Sequence, residues 1–415
     1  MNTTTPEKPA QFSRYQIFII VILAILQFSV ILDFMVLSPL GAILLPELNI
    51  TTTQFGFVVS AYAFSAGASG LLAAGFADRF DRKKLLLFFY IGFIVGTILC
   101  GLAPTYHLLL IARIVTGIFG GVISAVGFAI ITDLFKMEVR GQVMGFIQTA
   151  FAASQILGIP VGLLLANEFT WHAPFWLIAG FSALTAIVIA VYMQPVTAHL
   201  AIPSTRNPFE HLWKTLTNSD YLKGFITTTL LATGGYMLMP FGSAFSTNNL
   251  GLSIESLPLL YGITGAFTIV FSPLLGKLSD RIGKFNVFMM GTMVGVTMVA
   301  IYSNLGPTPF WIVTAINVLL FVGITSRITA SSALMSAVPD PQDRGAFMSI
   351  NSSVQQISGG IAASIAGMIV IQRPSGLLEN YNILGYAVIT SMICAVGLMY
   401  RLDQHVKKKL AAKKV

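Results

Sequence analysis

Three ionisable side chains lie inside long apolar runs of the sequence: Asp33, Arg113 and Arg327. A charge at membrane depth costs at least about 2.5–3.5 kcal/mol on the insertion scale, so such residues are functional candidates. A guanidinium favours a charged carboxylate beside it, whereas an apolar cavity favours the neutral acid. Asp33 and Arg113 are therefore predicted to be a proton-coupling pair, with Asp33 binding the proton or a cationic solute and Arg113 tuning it. A purely structural ion pair and a peripheral role for Asp33 are the alternatives.

The depths of these residues indicate which of them can meet. Asp33 and Arg113 both fall in the outer halves of their runs, so the two side chains can lie together. Arg327 falls in the inner half of its run, and the nearest acids, Asp340 and Asp343, lie far out in the next loop. We expect Arg327 to contact an anionic or hydroxyl-rich substrate, or to serve a structural or gating role.

Further polar residues occur within the apolar runs and are candidates for lining a substrate cavity together with Arg327. They are Gln27, Tyr62, Gln148, Gln155, Tyr236, Asn317, Asn351 and Gln355. Packing or contact with lipid is the alternative for each of them.

The composition places these residues in a membrane protein. The 415 residues are 55% hydrophobic and 10% charged, whereas soluble domains carry about 25% charged residues. The two cysteines lie far apart, the five histidines have no ligand spacing, and no phosphate-binding loop is present. We therefore expect no cofactor, no metal and no enzymatic activity.

Runs of about 20 apolar residues can cross a bilayer as helices. Twelve such runs predict an all-α integral membrane protein with two six-helix bundles: 15–45, 54–77, 84–103, 107–132, 142–166, 172–194, 223–248, 254–276, 285–304, 309–334, 345–371 and 381–401. The predicted domains are a tail (1–14), a first bundle (15–194), a linker (195–222), a second bundle (223–401) and a basic tail (402–415).

The basic residues predict the orientation of these runs. All of the 24 Lys and Arg residues except Arg113, Arg327 and Arg373 fall on one side, which is the strong bias of cytoplasmic loops. Both termini and the linker are therefore expected in the cytoplasm, with the protein multi-pass in the cell (inner) membrane. The net charge of +8 reflects this bias and a lipid-attracting tail, and we expect no nucleic-acid partner.

Two charged motifs each occur once in both halves of the sequence. Asp78-Arg79-Phe80-Asp81-Arg82 returns as Asp280-Arg281-Ile282-Gly283-Lys284, and Arg140-Gly141 returns as Arg344-Gly345. A doubled membrane chain whose halves meet at the midplane is typical of secondary transporters. The alternative is that these charges only orient loops. The predicted cytoplasmic gate comprises Asp78, Arg79, Arg82, Asp133, Arg140, Asp280, Arg281 and Arg344.

The repeated loop resembles the signature loop of the major facilitator superfamily. The second copy fits closely, whereas the first has Ala74 and Asp81 where the family has glycines. Arg113 with its following glycines resembles that family's fourth helix. Gly158-Ile159-Pro160-Val161-Gly162 resembles the fifth helix of its drug:proton antiporter group, closest to the sugar- and nucleoside-efflux branch.

The resemblance implies the major facilitator fold and alternating access between two pseudo-symmetric bundles. It implies proton-coupled efflux of a small drug-like or sugar-like solute, with a substrate, protons and membrane lipids as partners of a monomer. A proton-coupled symporter, or a facilitator, importing a solute is one alternative. A lipid-moving protein or receptor that couples to no ion is another.

Overall fold

Long α-helices make up most of the chain in the computed structural model, which describes residues 12–201, 208–340 and 343–412. Sixteen α-helices occur within these ranges: α1 Arg14–Val36, α2 Gly41–Glu47, α3 Thr52–Phe76, α4 Arg82–Leu102, α5 Tyr106–Leu134, α6 Met137–Ala153, α7 Ile159–Glu168, α8 Ala173–Tyr192, α9 Pro208–Thr217, α10 Ser219–Leu238, α11 Gly242–Asn248, α12 Leu257–Ile282, α13 Lys284–Tyr302, α14 Phe310–Met335, α15 Arg344–Ile369 and α16 Tyr381–Ala412. A small antiparallel hairpin, β1 Ile371–Gln372 with β2 Leu378–Glu379, joins the last two helices.

The helices account for the twelve expected spans. Nine of the described helices are long and apolar enough to cross a membrane: α1, α3, α4, α5, α8, α12, α13, α14 and α16. The fifth span is split into α6 and α7 by a π-helical turn at Ser154–Gly158, and the seventh into α10 and α11 by a 3₁₀ turn at Met239–Phe241. The eleventh, α15, is rich in Ser, Asn and Gln, which lowers its hydropathy. The architecture is the twelve-helix fold that the apolar runs predict.

The two copies of the repeated loop connect their helices by different means. Gly283 follows α12 with φ at +96°, a conformation that favours glycine because it has no Cβ. Asp81, at the corresponding place, has φ at −55°, and its carboxylate accepts a hydrogen bond from Lys83 N at 2.9 Å to cap α4. Asp81 Oδ1 also accepts from Val196 N at 3.0 Å, which fastens the start of the linker to this loop. The departure from the family pattern therefore has a structural role.

The bundle has two ends, the tail face and the hairpin face. The tail face carries the loops at Asp81 and Gly283, the start of α1 and the end of α16, and the hairpin face carries β1 and β2. At the hairpin face the first half (α1–α8) is joined to the second half (α10–α16) by hydrogen bonds. Thr52 Oγ1 donates to Val370 O at 2.5 Å, and Ser364 Oγ donates to Ser60 Oγ at 2.8 Å. These contacts close the hairpin face between the halves.

Candidate proton-coupling and substrate site

A buried ion pair lies within the first half. Arg113 Nη1, from α5, donates to Asp33 Oδ2, from α1, at 2.6 Å and to Asp33 O at 3.2 Å, and both side chains are 0% exposed. Thr97 Oγ1, from α4, donates to Asp33 Oδ1 at 3.2 Å. The structure thus confirms the predicted meeting of Asp33 with Arg113. It adds Thr97, which a sequence pattern cannot single out among many buried threonines.

The guanidinium has few other partners. Its carbon lies 4.5 Å from the centroid of the Tyr62 ring, a cation–π contact that α3 contributes. Within the described part of the chain, Arg113 Nε, Arg113 Nη2 and Tyr62 Oη make no hydrogen bond. Removing one member of a buried pair leaves an uncompensated charge, which is strongly unfavourable. The charge states of Asp33 and Arg113 are therefore tightly linked.

Glycines bring these helices close enough for the pair to form. A Cβ on Gly120 would lie 2.7 Å from Tyr62 Oη, and one on Gly96 would lie 2.8 Å from Thr116 N. A Cβ on Gly121 would overlap the carbonyl oxygen of Ala66. Small residues allow helix backbones to approach in membranes. The glycines after Arg113 thus allow α5 to pack directly against α3, and Arg113 lies at this contact.

The proline- and glycine-rich fifth span holds α1 on both sides of Asp33. Cβ atoms on Gly158 and Gly162 would run into Leu32 Cδ1 and Val36 Cγ2, respectively, so α7 and its π-helical turn lie directly on this part of α1. Pro160 faces the other way, with its Cγ 3.9 Å from where a Cβ on Gly262 of α12 would lie. The fifth span therefore contacts both Asp33's segment and the second half.

An aromatic contact next to Asp33 also crosses between the halves. The ring centroid of Phe34 lies 5.2 Å from that of Tyr62 and 5.7 Å from that of Tyr236 in α10. The Tyr236 side chain packs against α15, because a Cβ on Gly359 of that helix would be 2.8 Å from its ring. Residues adjacent to the ion pair are thus in contact with the wall of the opposite half.

The predicted cavity residues are spread over both halves. Gln27 Oε1 accepts from Ser124 Oγ at 3.1 Å, and Asn351 Oδ1 accepts from Thr228 Oγ1 at 2.6 Å. Asn317 is buried, Tyr236 is half-buried and Gln355 is exposed. The side chains of Gln148 and Gln155 lie outside the described residues. No hydrogen bond joins these polar groups to one another where they are described, and their substrate role stays a prediction.

The predicted gate residues on the tail face form contacts within the first half. Arg82 Nε donates to Asp133 Oδ2 at 3.0 Å, and the His199 ring lies 3.2 Å from the same oxygen. Arg140 donates to the carbonyl oxygens of Phe135 and Thr132 at 2.9 and 2.6 Å. No pattern in the sequence singles out His199, one of two histidines in the linker.

The structure does not test the role of the other gate candidates. Arg79, Asp280 and Arg281 are exposed, and the side chains of Asp78 and Arg344 lie outside the described residues. The proposed latch between halves stays a prediction.

Arg327 differs from Arg113 in having no acidic neighbour among the side chains that the structure describes. It is 5% exposed, and its guanidinium carbon lies 5.1 Å from the ring centroid of Phe288. Of the two acids nearest in sequence, Asp340 pairs with Lys409 at 3.0 Å, and Asp343 accepts from Tyr221 Oη at 2.8 Å. Arg327 makes no hydrogen bond or ion pair with any residue that the structure describes.

A two-half bundle of twelve membrane-spanning helices around such a site defines a multi-pass membrane transporter. The sequence profile of the Major Facilitator Superfamily matches residues 23–363, and the chain belongs to this family. It is 27% identical over 340 residues to the uncharacterized MFS-type transporter YceJ of Bacillus subtilis (strain 168), covering 81% of this chain and 85% of that protein.

Two further comparisons are narrower in what they show. Multidrug resistance protein 3 of the same organism is 32% identical over 146 residues, which are 35% of this chain and 28% of that protein. The crystal structure of a D-xylose-proton symporter superposes with a TM-score of 0.72 at 17% identity, covering 91% of this chain and 97% of that chain. At this identity the structural likeness shows the fold.

Proposed function

We propose that this transporter exports a small organic solute in exchange for protons, by alternating access between its two halves. The observation that carries the proposal is the Asp33–Arg113 pair, since both side chains are fully buried and the pair lies beside contacts that cross to the second half. An intramembrane carboxyl is a functional candidate because its burial costs free energy. Asp33 carries the proton, and Arg113 controls when it is taken up.

The coupling follows from the charge of the pair. With the pair formed and the hairpin face closed, Arg113 stabilises Asp33 as a carboxylate. When the halves rearrange and the two side chains separate, the apolar surroundings favour the neutral acid, and Asp33 takes up a proton. Protonation removes the counter-charge of Arg113, so re-forming the pair requires the proton to leave. Proton release and the closed hairpin face are thereby linked.

The fifth span supplies a physical path for this linkage. Its glycines lie on α1 at Leu32 and Val36, while Pro160 lies against α12 of the second half. A shift of α1 on protonation therefore moves the fifth span, which contacts both α1 and the second half. The π-helical turn at Ser154–Gly158 supports the same idea, because such turns occur frequently at functional sites.

The proposed direction of transport rests on resemblance to exporters, and the proposed membrane orientation rests on the distribution of basic residues. The fifth-span motif resembles the drug:proton antiporter group and its sugar- and nucleoside-efflux branch, and a relative named for multidrug resistance supports export. The basic residues support a cell (inner) membrane location with the tail face in the cytoplasm, where the repeated loops would form the gate. The solute would be drug-like or sugar-like, and the working unit a monomer.

A growth screen followed by vesicle measurements tests this function. Cells that express the full chain, or an Asp33→Asn variant, are challenged with a panel of toxic drug-like compounds and sugar analogues. Compounds tolerated only with wild type are then added to everted membrane vesicles with an acidic interior. Export in exchange for protons predicts that the compound collapses the pH gradient in wild-type vesicles. If tolerated compounds instead acidify the interior further or leave the gradient intact, exchange is excluded.

A further inference from the structure

We propose that Arg327 binds the carboxylate of an organic monoanion in the second half. The transporter would then accept solutes with a negatively charged end. The inference deepens the proposed function because it names a substrate class for the same transport cycle. Binding at Arg327 is nevertheless measurable whether or not protons are coupled to it.

Arg327 is a buried charge without a counter-charge. Its side chain is 5% exposed, its Nη1 has no hydrogen-bond acceptor, and no described carboxylate lies within ion-pair distance. A guanidinium stays protonated at any physiological pH, so the group cannot escape this cost by losing its proton. A buried charge costs several kcal/mol after relaxation unless it is paired. The second half therefore holds a cation whose partner is not among its own described side chains.

The acids of the second half are engaged or exposed at the two faces. Asp220, Asp340 and Asp403 form ion pairs with Lys223, Lys409 and Lys407, and Asp343 accepts from Tyr221. Glu379 pairs with Arg373 on the hairpin, and Asp280 and Glu255 are exposed. The first half by contrast supplies Asp33 to its buried arginine. The fold thus neutralises one intramembrane guanidinium and leaves the other for an external anion.

The backbone around Arg327 is held firmly. A Cβ on Gly291 of α13 would lie 2.5 Å from Ser326 Cβ and 3.3 Å from Arg327 N, so α13 and α14 are in direct backbone contact at this level. Gly323, one turn away, makes the same close approach to Gly291 O at 2.9 Å. A side chain that is 5% exposed on such a backbone has few rotamers to lose on binding, which favours affinity.

The charge and the donor chemistry of the guanidinium indicate a carboxylate. The Phe288 ring lies 5.1 Å from the guanidinium carbon, a cation–π contact that leaves the in-plane N–H donors for an acceptor. The guanidinium fork matches the two oxygens of a carboxylate. Lys277 and Arg281 in the last turns of α12 and Lys284 at the start of α13 lie at the tail face, so the single charge of Arg327 matches a monoanion, whereas a dianion such as phosphate would keep one charge unbalanced. An apolar body suits the aromatic surroundings.

Benzoate and its neutral analogue benzamide test this directly on the full-length protein in lipid nanodiscs. We expect benzoate to raise the melting temperature saturably, whereas benzamide does not. Arg327→Gln should abolish the shift. Arg327→Lys, which keeps the charge but lacks the fork, should weaken apparent affinity by about tenfold or more, as expected for a lost charged hydrogen bond. Arg401→Gln removes an exposed arginine and should behave as wild type. A wild-type shift that persists in Arg327→Gln, or no benzoate shift in wild type, overturns the proposal.

A stability measurement without ligand separates an anion site from a structural arginine. If the charge is uncompensated, Arg327→Met removes a destabilising group and raises the melting temperature of the ligand-free protein. A structural arginine predicts a lower melting temperature, which would contradict the proposal. Asp33→Asn is the second control. It should keep the benzoate shift, so a failure of proton coupling in that variant is distinguishable from a failure of anion binding.

Discussion

Arg113 Nη1 donates to Asp33 Oδ2 over 2.6 Å, and neither side chain has exposed surface. The contact joins the first and fourth membrane spans, 80 positions apart in the chain. Thr97 also contacts Asp33, and the Tyr62 ring also contacts Arg113. Because the pair has few other contacts, neutralising either charge leaves the other without a counter-charge.

Removing one partner of this pair should destabilise the protein more than removing both. Asp33→Leu leaves the guanidinium buried and unpaired, for which we expect a loss of about 3–5 kcal/mol. Asp33→Leu with Arg113→Met replaces the pair by apolar groups and should recover much of that loss. Denaturant unfolding of the purified single and double variants measures the coupling. Additive losses would contradict a mutually dependent pair.

Gly121 should tolerate no side chain. A Cβ there meets the carbonyl carbon of Ala66 2.7 Å away, and this backbone cannot move without separating α5 from α3. We expect Gly121→Ala to cost about 1–3 kcal/mol, as overpacking does, and to reduce transport because Arg113 loses contact with Tyr62. Gly180→Ala is the matched control, because a Cβ at Gly180 meets nothing within 4 Å. Equal melting temperatures for the two variants would refute this packing.

Cross-linking the two halves of the protein at the hairpin face should prevent this face from opening. Ser60 Oγ and Ser364 Oγ lie 2.8 Å apart across the halves, so cysteines at both positions can form a disulfide. In a background with Cys100 and Cys394 replaced by serine, oxidation should arrest transport and reduction should restore it. Either single cysteine should transport in both conditions. Undiminished transport by the oxidised double variant would show that this face does not have to open.

Much of this architecture follows from the sequence, because a bilayer imposes long apolar helices and positive loops. Asp33 and Arg113 could be matched by depth alone, since buried charges are few. The sequence could not pick Thr97 or His199, because their roles depend on contacts between helices distant in the chain. It also read Asp81 as a departure from a pattern, whereas the structure shows it capping α4 and binding Val196.

The tail-face pair of Arg82 with Asp133 should matter more than a surface pair. Arg82 is 4% exposed and also donates from Nη1 to Ala77 O at 2.7 Å. We expect Arg82→Gln to cost about 1.5–3 kcal/mol, the range for hydrogen bonds to charged groups. Lys223→Gln breaks the exposed pair with Asp220 and should cost at most about 1 kcal/mol. Thermal denaturation compares the two, and a smaller effect of Arg82→Gln would contradict the pairing.

The central claim is that Asp33 carries the coupled proton. Its most direct test is simultaneous measurement of proton and solute flux in proteoliposomes under an imposed pH gradient, using a solute identified by the growth screen. Wild type and Glu255→Gln, a variant of an exposed acid, should move protons and solute in opposite directions. Asp33→Asn should lose gradient-driven accumulation and proton movement while its melting curve shows that it is folded. Solute-coupled proton movement at the wild-type rate in Asp33→Asn would contradict the account.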